Sequence, residues 1–302
     1  MIPFSRPTSI IFRRSTANLI GYHLQIAKTP LCLLVAFSAL FGYILAPDQV
    51  YYSAMLTFIG VFSLACGAAS LNSLQEYKSD RLMERTRERP LAKGILAPSG
   101  ALLQARLLLL IGFVTLYSAS TSMLPVIAGV CAVIVYNFIY TPLKNRTIWA
   151  LVPGAVCGAL PPYIGWLAGN GFVLSPVILA VFALLTVWQI PHFWLILLAN
   201  RTDYLTSKFP NLIQLLTERS LQLVSVVWLL SVITIVHVLV VLLNYLPDTL
   251  RWTISIFSIA IFIVFCSQMF FSKSPAYRFL FFLLNGFMFF IMLLFSIGAL
   301  VA

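Results

Sequence analysis

The sequence predicts an all-α membrane protein, a helical bundle that crosses the bilayer nine times. Two observations carry this. Of its 302 residues 61% are hydrophobic and only 9% are charged, with a mean hydropathy of +0.99. Apolar runs of about 20 residues, the length a helix needs to cross the hydrocarbon layer, recur along nearly the whole chain. Too little remains between them for a separate soluble domain, so residues 1–302 read as one integral-membrane unit.

The first run, 22–45, follows Arg6, Arg13 and Arg14. It is too long for a signal-peptide core and lacks a small-residue cleavage site, so it reads as a retained first span. The second, 50–73, leads straight into a charged segment and is expected to continue into it as helix. The third, 99–117, and the fourth, 121–141, are uninterrupted apolar runs, the fourth ending in YTPLKNRT. The fifth, 148–169, holds VPGAVCGALPPYIGW. Its small residues permit close helix contact, and Pro161-Pro162 is expected to break or kink it. The sixth, 173–199, carries Pro191 as an expected kink. The last three, 220–244, 250–271 and 277–301, rest on hydropathy alone. Cys32, Cys66, Cys131, Cys157 and Cys266 fall in different spans without paired spacing, which argues for packing residues rather than a disulfide framework or thiolate metal site.

Lys and Arg gather before the first span and in alternate loops thereafter, notably between spans two and three, four and five, and six and seven, whereas the other loops offer only Arg251. The positive-inside rule then places the N-terminus and the basic loops in the cytoplasm and the C-terminus outside. The net charge of +11 is largely this topogenic signal. It also suits membrane lipid or an anionic substrate, and no nucleic-acid module is present. Asn145-Arg-Thr147 and Asn200-Arg-Thr202 match the glycosylation sequon but fall on the expected cytoplasmic side, as chance matches.

The densest charge lies in NSLQEYKSDRLMERTRERPL, Asn72 to Leu91, which holds four of the chain's eight acidic residues. If the second span continues as helix, Asn72, Glu76 and Asp80 stand at i, i+4 and i+8 on one face. A carboxamide and two carboxylates in a row are hard oxygen donors. They suit Mg²⁺ completing its shell with substrate phosphate and water. Arg85, Arg87, Arg89 and Lys93 supply forks and charges that bind a diphosphate. Glu84, Arg87 and Glu88 read instead as a solvated face. An ionisable residue kept at the end of a span needs a partner, which favours function for Asn72, Glu76 and Asp80.

Two further clusters lie at the same end of the bundle. Lys144 and Arg146 follow the fourth span, and WQIPHFWLILLANRTDY brings Gln189, His192 and Asp203 within one broad helical face. A lone histidine in a span is ordinarily a hydrogen-bonded core residue, but Asp203 closes the sixth span at the level of Asp80. Acidic positions on two helices could hold two Mg²⁺ ions across one diphosphate. His23 and His237 have no polar company in sequence.

Together these stretches resemble the UbiA superfamily of intramembrane prenyltransferases, and within it the protoheme IX farnesyltransferases, or heme O synthases. The likeness is carried by Asn72-x-x-x-Glu76-x-x-x-Asp80, then Met83-Glu84-Arg85-Thr86-x-x-Arg89-Pro90-Leu91, Tyr140-Thr141-Pro142-Leu143-Lys144, Gly158-Ala159-x-Pro161-Pro162-x-x-Gly165-Trp166, Trp188-Gln189-x-Pro191-His192-Phe193 and Asp203-Tyr204. They occur in the family's order and cover Asn72 to Tyr204. The resemblance implies a bundle of nine transmembrane helices around a central chamber, with Asn72, Glu76, Asp80 and Asp203 holding Mg²⁺. Asp80, Lys144 and Asp203 would be catalytic, with Arg85, Arg89, Lys144 and Arg146 on the diphosphate and Gln189 and His192 near the acceptor. The implied reaction transfers farnesyl from farnesyl diphosphate to a vinyl group of protoheme IX, and the resemblance also brings terminal-oxidase assembly partners into view.

The chain departs from the pattern at Glu76, where the family usually has Asp, and at Lys78, where heme O synthases usually have a further Asp. Lys208 and Ile213 also replace the Gly and Pro usual after Asp203-Tyr204. A superfamily enzyme acting on a quinone precursor and a non-catalytic heme-binding paralogue are the competing readings, Lys78 favouring the second. A transporter fits less well, since the acids lie at span ends rather than at the midplane. The bacterial plasma membrane is expected ahead of the mitochondrial inner membrane.

Overall fold

A computed structural model describes residues 16–82, 86–205, 210, 212–272 and 275–301, without the side chains of Thr16, Ala17 and Asp203. Arg85 and the side chain of Asp203 therefore lie outside the described residues. The described chain is helical throughout its spans. Helices α1 (Thr16–Ile26) and α2 (Thr29–Ile44) precede α3 (Tyr51–Asp80) and α4 (Pro98–Ala119). Helix α5 (Leu124–Ile134) passes through a π-helical segment, Val135–Tyr140, into α6 (Thr141–Leu143). Then come α7 (Leu151–Ala168), α8 (Pro176–Ala199), the short α9 (Arg201–Leu205), α10 (Glu218–Leu242), α11 (Asp248–Cys266) and α12 (Tyr277–Val301). Among the described residues eight helical stretches are long and apolar enough to span a membrane, and α1 with α2 supplies a ninth in two pieces bent by 50°.

That bend falls inside the span expected at 22–45. Pro30, near the start of α2, has no amide hydrogen to continue the ladder. Lys28 takes the left-handed conformation (φ 51°, ψ 43°), uncommon for a residue with a side chain. Its carbonyl accepts from the amides of Leu31 (2.9 Å) and Cys32 (3.1 Å), which restarts the helix.

The proline pair of α7, Pro161 and Pro162, does not break its helix, and α8 is likewise unbroken at Pro191. In a membrane bundle neighbouring helices help satisfy the backbone groups that such prolines free. Here α7 is wedged between α2 and α8. The α2–α7 contact is made backbone to backbone, as the small residues of the fifth span suggested. A side chain at Gly165 would be driven into the carbonyl oxygen of Ala39.

Buried aliphatic and aromatic residues of α8, α10 and α12, among them Leu184, Val232, Val236, Phe287 and Ile291, form the main core. Large apolar side chains such as Leu110, Val241 and Phe282 are left exposed, as a surface facing lipid chains permits. Successive spans alternate in direction. The start of α2, the ends of α3, α6 and α8, and the starts of α10 and α12 therefore meet at one end. Cross-links there include Lys28–Asn72, Glu76–Lys144 and Arg201–Glu218–Tyr277. The charge alternation read from the loops is thus realised as one charged end of the bundle.

Candidate functional site

Helix α3 does continue 30 residues to Asp80, so the expected row forms. Asn72, Glu76 and Asp80 are 1%, 7% and 6% exposed, one turn apart and facing the bundle. Each meets a different basic residue. Lys28 donates from Nζ to Asn72 Oδ1 at 2.7 Å, Lys144 pairs with Glu76, and Arg89 donates to both carboxylate oxygens of Asp80 at 3.0 and 2.9 Å. Three cations face two carboxylates, an excess of one positive charge among the described residues. That surplus favours an anion.

The surrounding polar groups hold these side chains in place. Asn72 donates through Nδ2 to Thr141 Oγ1 (3.0 Å), whose hydroxyl donates to the Tyr136 carbonyl (2.8 Å). Thr141 follows the π-helical segment, an irregularity often found at functional sites. Within that segment Asn137 is fully buried and donates to the Ala68 carbonyl at 2.9 Å and to Gln75 Oε1 at 3.2 Å. The Lys144 ammonium also lies 5.8 Å from the centre of the Tyr140 ring, within cation–π reach. A cleft of about 240 Å³ opens beside Glu76, lined by Gln75, Ser79, Asn137, Thr141, Pro142 and others.

Other charged residues of the window stay outside this arrangement. Arg87 and Glu88 are mostly exposed and Lys93 pairs with Glu88 on the surface, as a solvated face would. Arg81 binds the Ala92 carbonyl (2.8 Å) and covers the Tyr77 ring, tying the loop to α3. Arg146 is exposed just past Lys144 and forms no ion pair among the described residues. Lys78 is exposed too. Two residues from both Glu76 and Asp80, it points about 200° around the helix from each, so its charge does not stand beside the row.

Gln189 and His192, adjacent on α8, turn to different neighbours. Gln189 is buried and donates to the Ala155 carbonyl at 2.9 Å, fitting against Gly158 of α7, where any side chain would collide with its carboxamide. His192 faces α12, with Nδ1 3.1 Å from Asn285 Oδ1 and its ring beside Trp188 and Phe281. Asp203 belongs to α9, just beyond α8. That end is tied down by Arg201, which pairs with Glu218 (2.7 Å), and by Tyr277, whose hydroxyl donates to the same carboxylate (2.6 Å).

Lys28 is the residue that reading the sequence passed over, because it was absorbed into the first apolar run. A lysine two positions before a proline inside such a run was the available signal. Asn285 carried no comparable mark; only the packing of α8 on α12 reveals it.

The donor set fits Mg²⁺ in its usual phosphate-bridging role. Two buried carboxylates and a carboxamide are hard oxygen donors, too few to cage an ion alone but suited to share one with a diphosphate. Among the described residues no group of three or more His, Cys, Asp and Glu side chains converges to hold a metal without such help. Energetically the row is coupled. Glu76→Leu leaves Lys144 uncompensated and is expected to cost about 2 kcal/mol, reduced from the cost at a fully buried pair because the Lys144 side chain is 31% exposed. Adding Lys144→Met should recover most of that loss, measured by thermal unfolding in lipid.

Comparison with known proteins supplies further findings. The profile of the UbiA prenyltransferase family matches residues 35–295. A protein named protoheme IX farnesyltransferase from Nitratidesulfovibrio vulgaris (strain DP4) is 37% identical over 195 residues, covering 64% of this chain and 68% of that protein. The fold superposes with a TM-score of 0.75 on a structure described as digeranylgeranylglyceryl phosphate synthase in membranes, at 14% identity over 94% of this chain and 100% of the other. A UbiA homolog from Archaeoglobus fulgidus bound to GPP and Mg²⁺ superposes with a TM-score of 0.61, at 18% identity over 93% of this chain and 98% of that one.

Proposed function

The chain belongs to the UbiA prenyltransferase family, and from that premise we propose that it farnesylates protoheme IX to give heme O. The observation that carries the chemistry is the buried row Asn72, Glu76 and Asp80 with Lys28, Lys144 and Arg89 set against it. The acceptor is argued from the likeness to the farnesyltransferase of N. vulgaris. The exposed, outward position of Lys78 keeps its charge away from the row, which weighs against a non-catalytic paralogue.

In this reading farnesyl diphosphate lies with its diphosphate at the charged end of the bundle and its chain among the apolar helices. Glu76, Asp80 and Asn72, with Asp203, hold Mg²⁺, which when bound neutralises diphosphate charge and favours its departure. Lys28, Lys144 and Arg89 then exchange part of their pairing with the Asn72 carboxamide and the two carboxylates for phosphate oxygens. As the allylic C–O bond breaks, the electron pair leaves with the diphosphate. Preorganised cations stabilise that charge in the transition state. The farnesyl cation forms a bond to the terminal vinyl carbon of the porphyrin. Water adds to the adjacent carbon and loses a proton, leaving the hydroxyethylfarnesyl group. Burial of the site keeps water from the farnesyl cation until the vinyl group has reacted. The charged end faces the cytoplasm, as the positive-inside rule requires, in the plasma membrane of a bacterium.

The direct test is incubation of the purified protein in lipid with protoheme IX, farnesyl diphosphate and Mg²⁺, with farnesylated heme read by mass spectrometry. Product is expected, and chelation of Mg²⁺ should suppress it at least tenfold. Turnover that persists in excess chelator would rule out the metal; no product under any condition would rule out the transfer.

A further inference from the structure

The amide of Asn285 is locked, and this determines which nitrogen of His192 is left free. Asn285 Nδ2 donates to the Phe281 carbonyl at 2.5 Å, so the other arm of the amide, the oxygen, is the one that faces the imidazole. An oxygen 3.1 Å from Nδ1 accepts a hydrogen bond, which places the proton on Nδ1 and the lone pair on Nε2. Among the described residues Nε2 makes no hydrogen bond, and it is not sealed inside the core. The rings of Trp188 and Phe281 lie beside the imidazole, their centroids 5.0 and 4.8 Å away. They restrict its rotation and supply flat apolar surface.

A histidine whose Nδ1–H is held by an oxygen acceptor while Nε2 remains unengaged has the arrangement of a metal-ligating histidine with its supporting shell. The carboxylates of the α3 row offer hard oxygen donors suited to Mg²⁺, whereas a neutral imidazole suits iron. Flat aromatic walls suit a porphyrin. We propose that His192 ligates the iron of the porphyrin acceptor through Nε2, with Asn285 as the positioning residue that sets its tautomer and orientation. The role deepens the protoheme reading and rests on it. Ligation at the iron fixes the macrocycle in place on α8 and α12, so that only its rim is free to present a vinyl group.

The experiment titrates the full-length protein in lipid nanodiscs with protoheme IX and records absorption and resonance Raman spectra of the ferrous complex. The wild type should show an iron–imidazole stretch. His192→Ala should lose it and bind protoheme about tenfold more weakly or worse, with added imidazole restoring the spectrum. Asn285→Asp should retain ligation and raise the stretching frequency, because a carboxylate draws the Nδ1 proton more strongly. Asn285→Leu should lower it. These shifts test the inference even if His192→Ala fails to fold.

A His192→Ala spectrum identical to the wild type, or bound protoheme without an imidazole ligand in the wild type, would overturn the proposal. So would equally tight binding of metal-free protoporphyrin IX. Ligation that is present without any farnesylated product would leave this role standing and sink the transfer reading instead.

Discussion

Asp80→Asn should lower farnesyl transfer by about 10²- to 10³-fold and raise the Mg²⁺ concentration needed for half-maximal rate, while the protein still folds. Asp80 is buried at the last turn of α3, with both carboxylate oxygens on the Arg89 guanidinium. Asparagine keeps the shape and one acceptor for Arg89, so the loss in stability is only about 1 kcal/mol. It removes the negative charge proposed to hold the metal and the second oxygen that pairs with Arg89. Lys78→Ala is the matched control, two residues away but exposed on the far side of the helix, and should stay within twofold of wild type. Rates at several Mg²⁺ concentrations decide the matter. An Asp80→Asn rate above a third of wild type would take Asp80 out of the site.

Gly165→Leu is expected to destabilise the bundle by more than about 3 kcal/mol and to abolish accumulation in the membrane. A side chain at this position would enter the carbonyl oxygen of Ala39, which belongs to the backbone of α2 and cannot rotate aside. Helices α2 and α7 would have to separate, and the separation would travel to the start of α2, where Lys28 meets Asn72. Without a hydrophobic force between helices in lipid, close packing of small residues supplies much of the association. Thermal unfolding in nanodiscs checks the prediction. A variant as stable as wild type would show that the α2–α7 contact is not what holds this side of the bundle.

Much of this architecture could be read before any coordinates, and for a definite reason. The bilayer imposes a length and a polarity on every span, so hydropathy alone located them, and loop charge grouped their ends. The i, i+4, i+8 spacing of Asn72, Glu76 and Asp80 depended only on α3 continuing as helix, which it does. Local rules misled where neighbours override them. Pro161 and Pro162 could have broken their span, yet α7 runs through them, as α8 runs through Pro191, with adjacent helices packed on both. Pro30 did interrupt its span, and the interruption brought Lys28 into the site.

What the sequence by itself determined is therefore the membrane class, the positions of the spans and the acidic row, because each follows from a periodicity along one chain. What only the tertiary structure decided is the pairing: Lys28 with Asn72, Lys144 with Glu76, Asn285 with His192. The two partners in these pairs lie 44, 68 and 93 residues apart. Which groups meet across such separations is set by how the helices pack against one another, and no spacing within a single helix encodes it.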